Sequence, residues 1–498
     1  MNVNPITRLD YPDPDVIRVE DTYYMVSTTM HFMPGCEILQ SFDLVHWEHV
    51  TYVYETLDHT DAQQLKSGQN IYGQGMWAAS LRYHEGRFCI CFVANDTRKT
   101  YLYTSEKIDG PWKKQLIEGF YHDGSLLFDE DGRSYIVYGN DEIWITELNE
   151  DLTAPKKDGL HRLLVSDHKN PELGYEGSHI QKINGYYYIF LVHSLRDRWM
   201  RTEACFYSDS LEGEFTGGDV LCDDRGYCGQ GVAQGGIVDT PDGKWYAMLF
   251  QDSGAVGRIP ILLPVTWKDH FPIFGQNGHV PEEIEVHSTR PGYIYQPLVG
   301  SDDFCNGLLP RWQFNHDPDP RYYHLDALQG TYTITTREVC TELTQAVNTL
   351  TQRMSYPSCA AEVTVDASAL KEGDVAGLCA LQSCYAAVGI TKHHGKYEVL
   401  MLDKKEDGIL DMTEGTVVES HQMDFRLEAD FCNMKDEAHC YYRVNKGDWL
   451  PIGTVHKLYF KLDHFTGCRF GLFCYAAEET GGSACFRDFK YYDVDEIS

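Results

Sequence analysis

The stretch Asn184-Gly185-Tyr186-Tyr187-Tyr188-Ile189 joins a polar, glycine-containing turn to an aromatic and apolar strand. The same combination occurs five times in the first half of the chain, with anchoring aromatic residues at positions 24, 88, 135, 187 and 245. The turns suit antiparallel hairpins, and spacings of 47 to 64 residues are compatible with four-stranded propeller blades, for which about 40 to 50 is usual. The pattern therefore predicts an all-β fold that begins with a five-bladed β-propeller. The five strands are Thr22-Tyr23-Tyr24-Met25-Val26, Gly86-Arg87-Phe88-Cys89-Ile90, Gly132-Arg133-Ser134-Tyr135-Ile136, Gly185-Tyr186-Tyr187-Tyr188-Ile189 and Gly243-Lys244-Trp245-Tyr246-Ala247.

Candidate site residues lie at a common distance before these aromatic residues. Counting back about eleven positions from each of them leads to Asp13, Trp77, Asp123, Glu176 and Gln234. In a radially symmetric fold, equivalent positions of successive repeats surround one axis. The three carboxylates and the tryptophan are therefore predicted to share one site, although each acidic residue taken alone is more typical of a turn.

A second domain is expected because 498 residues exceed what one hydrophobic core usually supports. Short alternating strands, with turns about every ten residues, begin after a stretch near residues 288–297 that contains Pro and Gly. Strands of this kind predict two packed sheets. We therefore predict a propeller domain over residues 1–295 and a β-sandwich domain over residues 296–498.

The composition argues against several classes of protein. The net charge of −33 disfavours a nucleic-acid partner, because that binding depends on Lys and Arg neutralising phosphates. No apolar run approaches the roughly 18 residues of a membrane span, so no membrane association is expected. The sixteen cysteines are scattered, and Cys89 and Cys91 share one face of a strand, which favours buried free thiols over disulfides. The first blade follows the opening five residues almost at once and leaves no room for a signal peptide, so a cytoplasmic location is expected.

Two carboxylates in different surroundings are what the hydrolysis of a glycosidic bond requires. One activates water, and the other, as a carboxylic acid, protonates the leaving oxygen. Asp13 lies between Pro12 and Pro14, which should hold its backbone rigidly in an extended conformation. Glu176 lies among glycines that let a ligand approach the backbone closely, and Asp123 precedes an apolar strand. Asp15 is not expected to be the base, because alternation directs it to the other side of the strand.

Seven short motifs, in a fixed order along the chain, together resemble those of a known protein family. The motifs are Asn4-Pro5-Ile6, Tyr11-Pro12-Asp13-Pro14, Ser41-Phe42-Asp43-Leu44-Val45-His46-Trp47, Gly75-Met76-Trp77-Ala78-Ala79-Ser80-Leu81, Asp123-Gly124-Ser125-Leu126-Leu127-Phe128, Tyr175-Glu176-Gly177-Ser178-His179 and Gly235-Gly236-Ile237-Val238-Asp239-Thr240-Pro241. Together they resemble glycoside hydrolase family 43. The rest of the chain is similar to the lectin-like, concanavalin A-like sandwich that follows the propeller in the β-xylosidase and α-L-arabinofuranosidase branch of that family.

The resemblance implies a role for each matching carboxylate. Asp13 would be the general base, Glu176 the general acid, and Asp123 the group that orients Glu176 and adjusts its pKa. Arg258 matches an arginine that contacts substrate hydroxyls, with a surface ion pair as the alternative reading.

The resemblance also bears on the walls of the site and on metal binding. Trp77 fits a stacking wall for a sugar, with a core tryptophan as the alternative, and His31 and Phe32 are expected to line the same pocket. Hydrolysis requires no cofactor, but many relatives carry a histidine at the head of the fifth blade that is associated with a central calcium ion. Gln234 stands there in this chain, and its side-chain carbonyl is a potential ligand for a structural Ca²⁺ in the propeller channel.

The implied reaction is an inverting single displacement that releases one terminal pentose, β-D-xylose or α-L-arabinofuranose, from xylo- or arabinoxylo-oligosaccharides. Inversion predicts carboxyl groups roughly 6.5 to 9.5 Å apart, whereas retention predicts about 5 to 5.5 Å. Two alternatives remain: a non-catalytic carbohydrate-binding propeller, and a retaining fructan-active propeller enzyme, whose usual Asn-Asp-Pro-Asn opening is absent here. The preferred pentose stays open from sequence, and a homo-oligomer is compatible with it.

Overall fold

The structure is a computed structural model that describes residues 4–493, and it is built almost entirely of β-strands. The first part of the chain supplies five antiparallel four-stranded sheets and one short additional strand, β3. The strands of this part are β1 (Asp15–Val19), β2 (Thr22–Val26), β3 (Phe32–Met33), β4 (Gly35–Ser41), β5 (Glu48–Tyr54), β6 (Met76–His84), β7 (Arg87–Ala94), β8 (Lys99–Ser105), β9 (Lys113–Ile117), β10 (Ser125–Phe128), β11 (Ser134–Asn140), β12 (Glu142–Leu148), β13 (His161–Ser166), β14 (Glu176–Ile183), β15 (Tyr186–Ser194), β16 (Arg201–Ser208), β17 (Thr216–Leu221), β18 (Val232–Asp239), β19 (Trp245–Asp252), β20 (Arg258–Lys268) and β21 (Phe271–Phe274).

The five sheets form a closed propeller. Their orders are β1-β2-β4-β5, β6-β7-β8-β9, β10-β11-β12-β13, β14-β15-β16-β17 and β18-β19-β20-β21. The first strand of each sheet contacts the first strand of the next, and β18 contacts β1, so these strands surround a central channel. The repeated aromatic segments lie in the second strand of each blade, as β2, β7, β11, β15 and β19. The predicted five-bladed all-β propeller is thus confirmed.

Neighbouring blades adhere through buried apolar clusters, one between each pair. Cys89 and Cys91 belong to the cluster between the second and third blades, where they pack as small apolar residues. All sixteen cysteines lie within residues 4–493, and each is a free thiol there.

The second part of the chain folds into two facing sheets, which confirms the predicted concanavalin A-like sandwich. One sheet follows the order β3-β22-β25-β35-β27-β28-β29-β30, with β31 also paired to β29, and the other the order β23-β24-β36-β26-β32-β33-β34. Its strands are β22 (Gln313–Asn315), β23 (Tyr323–Asp326), β24 (Thr331–Thr335), β25 (Leu350–Arg353), β26 (Ser358–Asp366), β27 (Asp374–Leu381), β28 (Ala386–His393), β29 (Lys396–Lys404), β30 (Leu410–Met412), β31 (Thr416–Val418), β32 (Gln422–Asp430), β33 (Glu437–Val444), β34 (Leu450–Lys457), β35 (Arg469–Ala476) and β36 (Ser483–Asp493).

Helical structure between residues 4 and 493 is limited to four single-turn 3-10 helices, and none of them is long or apolar enough to cross a membrane. The residues from 275 to 312 connect β21 to β22, and the domain boundary predicted at residues 295 and 296 falls among them. That boundary stays a prediction. The four helices are Lys66–Gly68, Gly254–Val256, Leu343–Gln345 and Cys432–Met434.

The two domains are joined by a strand pairing and by the hydrogen bonds of a buried arginine. Strand β3 leaves the first blade and pairs with β22 at the edge of a sandwich sheet. The buried guanidinium of Arg353, in the sandwich, donates a 2.9 Å hydrogen bond to Glu37 of the first blade and another to the backbone oxygen of Asp10. These contacts fix the sandwich against the propeller at the end of the channel where the candidate residues lie.

Candidate active site

A small pocket lies at the end of the channel where the inner strands begin. It encloses about 30 Å³, far less than the roughly 300–1,000 Å³ of most ligand pockets. All five residues that share the common spacing line it, so the structure brings the predicted set together. The lining residues are Asp13, Thr28, Met30, Trp77, Ala78, His122, Asp123, Glu176, Arg201, Gln234, Arg258 and Phe465.

The inner strands of three blades are irregular where they reach the pocket. Each carries one extra residue relative to its partner strand, which is a β-bulge, and bulges turn side chains towards active sites. Trp77 and Gln234 are the first residues inside their bulges, whereas Glu176 is the last paired residue before its own. Residues that are equally spaced in the sequence therefore occupy equivalent positions in the blades only to within about one residue. The register shifts lie between Met76 and Ala79, between Glu176 and His179, and between Ala233 and Gly236.

Asp13 is held from both sides in the pocket. The Thr28 hydroxyl donates to Oδ2 at 2.5 Å, and Nη1 of Arg258 donates to Oδ1 at 3.2 Å. The backbone of Asp13 has a φ of 53°, so the expected extended conformation was wrong. The local bias is overridden because Ser27 and Thr28 both hydrogen-bond the oxygen of Pro12 and turn the chain there. A non-glycine residue in this conformation costs about 1–3 kcal/mol, and such residues concentrate at functional sites.

Asp15 has a structural role outside the pocket. Its Oδ2 accepts hydrogen bonds from the backbone of Leu81 at 2.7 Å and from Arg82 at 2.8 Å. Nδ1 of His179 lies 3.1 Å from the other oxygen. Burial raises the pKa of Asp15, but these partners hold it below its usual value. The carboxylate is thus a buried, paired charge within the channel.

Glu176 is less confined, because 18% of its side chain is exposed. Nδ2 of Asn140 donates to Oε2 at 2.7 Å, and Nε2 of His122 lies 3.4 Å from the same oxygen. Gly177, the next residue, donates its backbone N–H to Oδ2 of Asp123 at 3.0 Å. Asp123 therefore holds the backbone next to Glu176, and its orienting role stays a prediction.

Three carboxyl groups and one imidazole lie close enough in this pocket to change one another's pKa values. Burial raises the pKa of Asp123 to about 6, with His122 lowering it and with Glu176 and Asp13 raising it. Burial alone would lower the pKa of His122, but Asp123, Glu176 and Asp13 raise it to about 9. The neighbouring carboxylates favour a proton on both groups: they add to the effect of burial on Asp123 and they outweigh it on His122. At neutral pH His122 is therefore an imidazolium beside the acidic cluster.

The sandwich domain closes one side of the pocket with Phe465. Its ring lies 4.4 Å from the guanidinium carbon of Arg258 and 5.7 Å from the ring of Trp77. The loop that carries it is anchored to the propeller, since Asp10 accepts a 2.8 Å hydrogen bond from the backbone of Gly467 and another from that of Arg258. The pocket is therefore lined by residues of both domains.

His31 and Phe32 do not line this pocket, contrary to the expectation from sequence. The His31 ring is buried at the domain interface, 4.8 Å from the ring of His316, and Phe32 lies beneath Arg469 at 3.4 Å. The reason is the recruitment of β3 into the sandwich sheet, which carries both side chains away from the channel.

The residues around Gln234 fit a calcium ion poorly. Its backbone donates to Glu203 at 2.7 Å, and burial raises the pKa of that carboxyl well above its usual value, which disfavours its charged form. Calcium takes about six to eight oxygen ligands and favours charged ones. Among residues 4–493, the acidic and histidine side chains close enough to share an ion are His122, Asp123 and Glu176. No step is assigned to a metal.

Several residues that line the pocket or contact its acidic groups were missed from the sequence, among them Thr28, His122, Asn140, Arg201 and Phe465. His122 adjoins Asp123 and was within reach of the spacing argument, whereas Asn140 and Arg201 lie at strand ends with no distinguishing motif. Arg201 donates to Asp252 at 2.9 Å and places a buried cation in the pocket wall. Phe465 had no local signal, because it comes from the other domain.

Family models account for both parts of the chain. The model for glycosyl hydrolases family 43 matches residues 3–272, and the model for the beta xylosidase C-terminal concanavalin A-like domain matches residues 301–492.

Individual relatives agree with these matches. A beta-xylosidase from Formosa agariphila is 26% identical over 99% of this chain and 89% of its own length. A non-reducing end alpha-L-arabinofuranosidase from Bacteroides ovatus is 24% identical over 82% of this chain and 79% of its own. The solved structure of a bifunctional GH43-CE protein from Bacteroides eggerthii is 42% identical with a TM-score of 0.92 over 98% of this chain, which spans 63% of that protein. With a family model that covers more than half of its length, the chain belongs to glycosyl hydrolases family 43.

Proposed function

We propose that the protein is an exo-acting, inverting glycosidase that removes terminal β-D-xylose or α-L-arabinofuranose from xylo- and arabinoxylo-oligosaccharides. The proposal rests on two carboxylates in different surroundings within one pocket that Phe465 closes. Asp13 accepts hydrogen bonds from Thr28 and Arg258, whereas the side chain of Glu176 is partly exposed. The names of relatives, beta-xylosidase and arabinofuranosidase, support the class of sugar.

The roles follow from the surroundings of each group. Asp13 accepts a proton from water as the water oxygen bonds to the anomeric carbon. Glu176 gives its proton to the glycosidic oxygen as the bond between that oxygen and the anomeric carbon breaks. Arg258 and Thr28 hold Asp13 in place, so its basic oxygen is presented in one orientation, and such preorganisation lowers the barrier.

The test of the proposal is release of 4-nitrophenol from the β-D-xylopyranoside and from the α-L-arabinofuranoside, followed by NMR of the first-formed sugar. We expect cleavage of at least one substrate and a product of opposite anomeric configuration. A retained anomer would replace inversion with a double displacement. Failure to cleave either substrate would favour the non-catalytic sugar-binding reading.

The proposal extends to partners and location. Oligosaccharides are neutral, which suits a protein with a net charge of −33, and we propose no nucleic-acid or membrane partner. The free thiols support a reducing compartment, so we propose that the enzyme acts in the cytoplasm on imported oligosaccharides.

Replacing Phe465 with alanine should weaken substrate binding. A stacked ring contributes about 0.5–1.5 kcal/mol beyond its buried area, so we expect KM for the cleaved pentoside to rise by roughly 2- to 13-fold with a smaller change in kcat. Phe460→Ala is the matched control, since the Phe460 ring lies 6.0 Å from that of Phe465 and outside the pocket. Equal effects of the two variants would show that Phe465 does not contact substrate.

The acidic side of the pH profile should depend on Asp123. This group has its pKa raised to about 6, so it gains a proton as the pH falls through 6 and loses the charge that favours a proton on its neighbour. We expect kcat/KM of the wild type to fall below about pH 6, and Asp123→Asn to be less active at neutral pH without that step.

Asp123→Asn should be more stable than the wild type at high pH, although it is expected to be less active. A carboxyl whose pKa is raised above 3.8 by folding stabilises the folded state at low pH, and this contribution is lost as the pH rises through about 6. Asp123→Asn should therefore have a higher Tm than the wild type at pH 8 and no such advantage at pH 4. An equal Tm difference at both values would contradict the raised pKa.

A further inference from the structure

The carboxyl group of Glu176 is held asymmetrically. Within residues 4–493, both of its hydrogen-bonding neighbours face Oε2: Nδ2 of Asn140 at 2.7 Å and Nε2 of His122 at 3.4 Å. No donor from the described part of the chain reaches Oε1. The two oxygens of the carboxyl group are therefore chemically distinct before any substrate binds.

The two neighbours come from separate parts of one blade. Asn140 is the last residue of β11, and its amide nitrogen can only donate. His122 precedes Asp123, and its ring lies 5.8 Å from that of Trp77 in an edge-to-face arrangement. The carboxylates of Asp123, Glu176 and Asp13 all favour the protonated ring, which makes His122 a second donor.

An oxygen that accepts two N–H bonds is a poor place for a proton. A proton on Oε2 would displace at least one of these donors, whereas a proton on Oε1 displaces none. The two N–H donors thus favour negative charge on Oε2 and leave Oε1 as the better place for a proton.

We propose that His122 and Asn140 are positioning residues that bind Oε2 of Glu176 and thereby keep the transferable proton on Oε1, directed at the leaving group. The inference rests on the proposed function, in which Glu176 is the general acid. In the reaction, the Oε1 proton passes to the glycosidic oxygen, and the charge left on the carboxylate spreads to Oε2. The two N–H bonds then strengthen as the anomeric bond breaks, which is where stabilisation lowers the barrier.

The experiment compares two aryl glycosides of the pentose that the wild type releases. The first carries 2,4-dinitrophenolate, a leaving group that departs without a proton, and the second carries phenolate, which departs poorly without one. Asn140→Asp keeps the shape of the side chain but places an acceptor against Oε2, so a proton must be shared at that oxygen. His122→Phe removes the other donor, and His122→Gln restores an N–H group.

We expect Asn140→Asp and His122→Phe to lower kcat/KM for the phenyl glycoside by roughly 10- to 100-fold, as for a catalytic group displaced by about 1 Å. The 2,4-dinitrophenyl glycoside should lose much less, and His122→Gln should recover part of the loss of His122→Phe. The matched control is His161→Phe, because His161 stacks on Trp144 in the same blade at 5.2 Å but lies outside the pocket. It should leave both rates unchanged.

Equal losses for the two leaving groups would overturn the inference, since a general distortion of the pocket affects both. Unchanged rates in both variants would overturn it as well. These results differ from failure of the proposed function, because in that case the wild type itself would cleave neither glycoside.

Discussion

Asp13→Asn should nearly abolish hydrolysis while leaving the protein folded. A positioned general base contributes roughly 10²–10⁴-fold, and the asparagine amide cannot accept the proton of the attacking water. The loss should be similar for activated and poor leaving groups, because water attack is needed with either. The measurement is kcat/KM for the dinitrophenyl and phenyl glycosides of the released pentose.

Azide provides a sharp control for this variant. It attacks as an anion and needs no deprotonation, so it should restore cleavage and yield the glycosyl azide of inverted configuration. Retained activity without azide would remove Asp13 from the role of base.

Asp15→Asn is the matched structural comparison, two residues away. Asp15 is a buried partner of Arg82, and removing one member of a buried ion pair costs about 3–5 kcal/mol because the other charge is left unpaired. Asp15→Asn should therefore lower the Tm and alter the chemistry little. Asp13→Asn leaves the buried guanidinium of Arg258 unpaired in the same way, so the two variants should differ in hydrolysis rather than in Tm.

Glu176→Gln should lose activity selectively. The amide has no acidic proton to transfer, so cleavage of the phenyl glycoside should fall by roughly 10²–10⁴-fold. The dinitrophenyl glycoside should be cleaved at a rate much closer to that of the wild type, because its leaving group needs no protonation. The steady-state rates of both substrates, measured for both proteins, decide this.

Azide distinguishes the two stereochemical mechanisms in the same variant. In a single displacement, Glu176 takes no part in water attack, so azide should not rescue Glu176→Gln. Formation of a glycosyl azide with retained configuration would instead identify Glu176 as the acid and base of a retaining enzyme, and would contradict inversion.

Much of the fold follows from local signals in the sequence. Turn chemistry and aromatic strands repeat along the chain, and each blade forms from neighbouring segments, so the five blades could be counted directly. The residues around the channel were located from the sequence with an error of about one position. The error arises because β-bulges insert one residue at the pocket end of three inner strands. Strand alternation alone cannot detect such an insertion.

The features that could not be predicted depend on contacts distant in sequence. The left-handed backbone of Asp13 is imposed by hydrogen bonds to the oxygen of Pro12 from Ser27 and Thr28, just after β2, against the local preference of a residue before proline. The family resemblance led us to expect His31 and Phe32 in the pocket, yet β3 pairs with a strand about 280 residues away. Long-range pairing of this kind leaves no periodic trace near either segment.

Because Phe465 of the sandwich lines the pocket of the propeller, the two domains are not expected to be exchanged independently during evolution. A propeller combined with a foreign sandwich would keep all three carboxylates but lose the ring that packs on Arg258 and Trp77, unless the new partner carried an aromatic residue at the same loop position. Selection on sugar preference therefore acts on the sandwich as well as on the propeller. The length and tip of the loop between β34 and β35 are expected to change together with residues of the channel mouth when one branch of the family acquires a new substrate.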